Sequence, residues 1–138
     1  MNPKTAIKIM LCLLVAVILF HSSIILKIVP YEITWGGRLK NDSEMYVFET
    51  ISIVINLFLG SILLIKGGLI KEVIPMKIVN VFLWIFVVLF GLNTIGNIMA
   101  QTNFEKFFAI LTLASLFLIW IILTKGKKNE HTIKPKLH

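Results

Sequence analysis

Residues 30–49 read PYEITWGGRLKNDSEMYVFE, the one long polar passage between apolar runs in this chain. What flanks it decides the fold. Upstream, the apolar run from about Ile7 continues to Val29. Downstream, a second starts near Asp42 and lasts to Ile65. Each exceeds the roughly 20 residues that cross a 30 Å hydrocarbon layer at 1.5 Å per residue. The passage is therefore a loop between two membrane-length helices. Pro30 closes the first, because the residue before a proline avoids the α region. Asn41 with Glu44 three residues on has the spacing of a capping box and opens the second. Gly36-Gly37 supplies a turn that few other residue pairs could adopt.

The same reading extends to the rest of the chain. Lys66-Gly67-Gly68 ends the second helix, and Pro75 stands at the start of a third. Thr102 with Glu105 repeats the cap-and-acid spacing and opens a fourth. The expected architecture is an all-α, four-helix transmembrane bundle, with helices at about 7–29, 42–65, 76–100 and 103–124. A very short turn makes the last two antiparallel neighbours. Residues 1–125 form this domain, and residues 126–138 are expected to be a disordered basic tail, with too few apolar side chains to fold alone. The runs are continuous rather than alternating, which argues against a barrel. The first run is too long for a signal-peptide core and lacks an A-x-A-like cleavage point, so it is read as a retained helix.

Composition agrees. Of 138 residues, 57% are hydrophobic, and the mean hydropathy of +0.90 is that of a membrane chain rather than a globular one. The formal charge of +7 does not point to nucleic acid, because the basic residues sit at the ends of apolar segments, at headgroup level. Lysine and arginine are retained on the cytoplasmic side. With the N-terminus inside, Lys4, Lys8, Lys66, Lys71, Lys77 and five tail lysines are inside, and only Lys27, Arg38, Lys40 and Lys106 are outside. The expectation is a cell-membrane protein with both termini cytoplasmic and the 30–49 passage on the outer face. Membrane lipids are its expected partners, with a homo-oligomer or protein partner also open.

Polar residues inside a span are costly in lipid and tend to face other helices or a wet cavity. On the second helix Glu49, Ser52, Asn56 and Gly60 recur at helical spacing on one face. Asn93 and Asn97 are one turn apart on the third, and His21-Ser22-Ser23 lies late in the first. Counted from the helix ends, His21, Glu49, Asn93 and Asn97 share one depth and could converge. The candidate ligand-binding set is therefore His21, Arg38, Glu49, Asn56, Asn93 and Asn97. The competing reading of the asparagines is interhelical glue, worth on average about 0.6 kcal/mol per bond. For His21 it is a hydrogen-bonded packing residue, and for Glu49 a helix-end carboxylate standing in water. Tyr31, Trp35 and Tyr46 fit an aromatic belt at the membrane surface. Arg38, aimed by the Gly-Gly turn, is the expected charge partner of Glu49, which would pin the loop as a lid.

No nucleotide-binding loop, H-E-x-x-H motif or hydrolase triad is present, and no cofactor or metal is implied. The lone Cys12 excludes an intramolecular disulfide and leaves no thiolate cluster. A haem would want a second intramembrane histidine, whereas His131 and His138 are in the tail. Three functions remain. The first is a non-enzymatic module that binds a lipid, small molecule or partner at the outer polar cluster. The second is an enzyme on an apolar substrate using Glu49 and His21. The third is a subunit of an oligomeric channel or transporter.

Overall fold

The structure, a computed structural model, describes residues 1–100 and 102–133, with backbone alone for residue 36 and residues 127–133. It comprises four helices: α1 (Pro3–Ile25), α2 (Asp42–Lys66), α3 (Met76–Ile98) and α4 (Asn103–Ile133). Two single 3-10 turns, Tyr31–Ile33 and Trp35–Gly37, lie between α1 and α2. No strand occurs among the described residues. Pro3–Ile25, Asp42–Lys66, Met76–Ile98 and Asn103–Gly126 are each long and apolar enough to cross a membrane. Their outer surface is apolar, with Leu19, Val54, Val88, Leu92 and Ile110 all more than half exposed, as expected of helices solvated by lipid rather than water.

The helix ends show how local chemistry sets the boundaries. At α1 the Asn2 side chain accepts the Lys4 amide at 3.0 Å and Pro3 takes the first helical position, so the helix starts before Ile7. It also stops earlier than the expected Val29. Lys27 adopts φ 57°, its N–H bonds to Ile24 O, and Ile28 N–H bonds to Ser23 O. That is a Schellman closure with lysine where glycine is usual, so Pro30 follows the stop rather than causing it. The same closure ends α2, where Gly68 has φ 66° and Leu69 N–H bonds to Leu64 O.

Asn41 accepts the Glu44 amide at 2.9 Å, while the Glu44 carboxylate takes the Lys40 amide, one residue before the reciprocal partner of a capping box. At α4 the Thr102 hydroxyl accepts the Glu105 amide at 3.3 Å and donates to its carboxylate at 2.7 Å. Helix α3 ends at Ile98, two residues short of Ala100. Helix α4 passes the expected end at Thr124 and runs to Ile133. The straight-chain residues Lys127, Lys128 and Glu130 are good helix formers and outweigh the lone Gly126. The rest of the expected tail, residues 134–138, lies outside the described residues.

Two hairpins, α1–α2 and α3–α4, pack side by side, with α1 also against α4 and the lightest contact between α2 and α3. The core is uneven along the bundle. At the end that carries both termini, Met10, Leu59, Leu63, Leu83, Ile119 and Ile122 are fully or almost fully buried in one continuous cluster. At the opposite end, which carries the 26–41 and 99–102 connections, burial continues only in a small satellite of Ile24, Leu39 and Met45, joined by Phe20, Val29 and Tyr31. Between the two clusters the helices do not close on one another.

Candidate functional site

Glu49 stands about two turns into α2 and is fully buried. A carboxylate there loses its hydration, and only donors placed on its oxygens offset that loss. Two are present. His21 Nδ1 contacts Oε2 across the α1–α2 hairpin. Trp35 Nε1 donates to Oε1 at 2.8 Å from the loop. The tryptophan reaches this position because its backbone takes φ 56°, a left-handed conformation that costs a bulky residue steric energy and persists only where the surroundings over-determine it. Here they do: the indole also packs on Phe48 with ring centroids 5.1 Å apart. Thr34, immediately before it, is buried and donates its hydroxyl to Tyr31 O at 2.7 Å.

The partner of Glu49 is thus not the expected arginine. Arg38 is exposed; Glu49 pairs with His21 instead, and a second ion pair joins Lys27 and Asp42. Both oxygens of Glu49 are already taken, one by His21 from α1 and one by Trp35 from the loop, which removes the electrostatic reason for the guanidinium to fold over it. The exposed pair of Lys27 and Asp42 fastens the loop at the rim. The hydrogen bond from Lys27 to Asp42, then the charge of Asp42, raises the lysine above its ordinary 10.5. The lysine's side of the pair therefore holds across neutral pH and is lost as pH rises through that raised value. Exposed pairs of this kind contribute little.

With Nδ1–H directed at the carboxylate, the imidazole has one nitrogen left, and the tautomer is set by that contact. Nε2 has no hydrogen-bond partner among the described residues. His21 lines a cavity of about 420 Å³ that opens between the four helices under Trp35 and Thr34. Asn93 and Asn97 of α3 line it as well, and neither amide has a partner among the described residues. Asn56 and Ser52 contribute from α2, where the Asn56 amide nitrogen is bonded to Ser52 O at 2.7 Å. From α4 come Glu105, held by Thr102, and Thr112, whose hydroxyl meets that of Thr94 at 2.9 Å. The remaining walls include Leu13, Leu14, Val17, Phe86 and Leu111, with Ser115 one turn beyond Leu111. The volume is that of a small-molecule site, and the walls are mixed, with Asn56 and Ser115 as deep along their helices as Leu14 and Phe86.

Of the residues singled out in the sequence, His21, Trp35, Asn56, Asn93 and Asn97 lie on this cavity, and Glu49 touches it through His21 and Trp35. Arg38 and Tyr46 do not; Tyr46 is 42% exposed. Tyr31 packs on the Ile24–Met45 satellite rather than on the cavity. Sequence reasoning did not place Thr34 or Glu105 here. Glu105 carried a signal, since a capping acid one turn inside a membrane helix is held close to its interior; Thr34 carried none. It also missed the aromatic cluster of Phe20, Phe104 and Phe108, whose rings lie 5.0 to 5.7 Å apart.

No metal-binding group of three or more His, Cys, Asp or Glu side chains occurs among the described residues. Comparisons with protein-family models, with curated proteins and with solved structures return no match.

Proposed function

We propose that this chain is a small multi-pass protein of the cell membrane that binds an amphipathic small molecule inside its helix bundle. The head of that molecule would lie at the outer end, beside His21, Asn93 and Asn97, and its apolar part between Leu14, Phe86 and Leu111. The observation that carries this reading is that Asn93, which is exposed, and Asn97, which is half-buried, line the cavity without hydrogen-bond partners among the described residues, in a chamber whose walls also include Leu14, Phe86 and Leu111. Amides without partners are costly at membrane depth, and a ligand's carbonyl or hydroxyl would satisfy them. Glu49 then serves His21 in the way an outer carboxylate orients a ligating histidine. It fixes the ring and leaves Nε2 for the ligand. The Lys/Arg distribution supports both termini inside, with the polar end facing outward.

A specific observation favours a second reading. An imidazole backed by a buried carboxylate and open to a cavity has the arrangement of a general base or acid. It would move a proton on an apolar substrate, in which case His21 is the reacting group and Glu49 orients it.

One experiment addresses both. Native mass spectrometry of protein extracted in mild detergent should find a small-molecule adduct on the wild type. His21→Ala or the Asn93→Ala/Asn97→Ala double variant should lose it, and the lipid-facing control Leu57→Ala should keep it. An adduct-free wild type, or an adduct indifferent to all these changes, contradicts binding. A chemically altered component in a lipid extract, produced by wild type and not by His21→Gln, selects the enzymatic reading.

A further inference from the structure

The cavity has a second opening, and its position says how an occupant arrives. A side chamber of about 150 Å³ lies between α1 and α4 and shares Val17, Phe20, Phe108, Leu111 and Ser115 with the main cavity. The chamber also reaches Ala16. Ala16 is exposed, as are its neighbour Val15 (58%) and, on α4, Ile110 (63%). The chamber therefore runs from the interior to the helix surface that lipid covers, and the smallest side chain on that surface stands at its mouth. The top of the cavity is different. There Trp35 and Thr34 lie over it, and the indole is tied to Glu49 at 2.8 Å.

We infer that the gap between α1 and α4 is a lateral window to the bilayer, so that the occupant is a lipid with a flat, hydrogen-bonding head and an apolar chain. This rests on the binding reading above and deepens it. Three observations carry it. The window is lined almost wholly by apolar side chains, with Ser115 as the exception, and its hydroxyl is already donated to Leu111 O at 2.8 Å. Entry from above passes Trp35, whose indole is bonded to Glu49, whereas a lipid would meet no polar barrier at the side. The cavity itself holds one molecule of drug size, so a longer chain must leave through a wall. The main cavity also reaches the exposed Ile55 and Leu89 on the α2–α3 side, and the side chamber makes α1–α4 the exit we assign. The rings of Phe20, Phe104 and Phe108 at the inner side of the window suit a planar head, which prefers offset or edge-to-face aromatic neighbours.

The test uses a decyl-substituted benzoquinone, whose ring carbonyls accept hydrogen bonds and whose ring quenches tryptophan fluorescence. The protein is reconstituted in phosphatidylcholine vesicles with Trp84→Phe and Trp120→Phe, which leaves Trp35 as the reporter. Saturable quenching is expected in this background and with the lipid-facing change Val15→Phe. With Ala16→Phe it should weaken at least ten-fold. To separate blocking from misfolding, Ala16→Cys in a Cys12→Ala background is modified with cyclohexylmaleimide after reconstitution, and the same loss should follow. Equal saturable quenching in all variants, the modified one included, overturns the window while leaving binding intact. No saturable quenching even without a window change overturns the binding reading for such a head, and the window with it.

Discussion

Trp35 carries the loop at the level of single residues, because it links a left-handed backbone position in that loop to Glu49, the carboxylate that is fully buried among the described residues. Replacing it with Phe keeps a ring against Phe48 and removes only the donor. The expected cost is about 1–3 kcal/mol, the range for leaving a buried polar group short of a partner, seen as a lower unfolding midpoint and faster proteolysis near Arg38. Glu49→Gln should loosen the same loop. The Trp35→Phe/Glu49→Gln double variant should lose less than the two single effects together, since both remove one interaction. Arg38→Ala should leave proteolysis unchanged, and a loosened loop in that variant would show that the guanidinium does hold Glu49. The sequence made Glu49 conspicuous, because an acid about two turns into an apolar helix needs an explanation. It pointed to the wrong partner because arginine is the stronger charge, and charge says nothing of reach. His21 could be matched to Glu49 in depth by counting along the helices, but pairing them required the α1–α2 packing. Nothing local reveals that Trp35 takes a left-handed backbone, which is rare outside glycine and asparagine.

Among elements, helix starts were more legible than helix stops. Asn41, Pro75 and Thr102 mark the starts of α2, α3 and α4 in the sequence, since an N-terminal cap is a side-chain property. A C-terminal closure is a backbone property, and it reads easily only where glycine permits it. Gly67-Gly68 was legible for that reason, and Lys27 was not. The difference is testable at Gly68, where a Cβ would meet no neighbouring atom within 4 Å and only the φ of +66° opposes it. Gly68→Ala should lower stability by about 1 kcal/mol through backbone strain alone, measured by thermal unfolding in detergent. No loss would mean that the α2 terminus relaxes into another closure. The cavity was the least legible feature. It exists because the satellite around Ile24 and the main core around Leu63 do not meet, and such a gap belongs to the packing of four helices rather than to any one.

At the scale of the whole molecule, a tightly packed half and an open half are stacked along one axis, and orientation in the bilayer decides which solvent the open half faces. In a Cys12→Ala background, a membrane-impermeant thiol reagent applied from outside should label Ser43→Cys and spare Asn129→Cys. Labelling of Asn129→Cys alone would place the polar end in the cytoplasm and reverse the side from which the head groups are approached. The loop pair Lys27–Asp42 should not limit such work, since the lysine's side of it is unchanged until pH rises past 10.5. The most direct measurement of the central claim is an experimental structure of the protein in lipid nanodiscs, examined between His21, Asn93 and Asn97. The account predicts non-protein density there, with a polar atom about 3 Å from His21 Nε2 and a tail leaving past Ala16. Helices closed over that space, or water alone within it, would contradict the account.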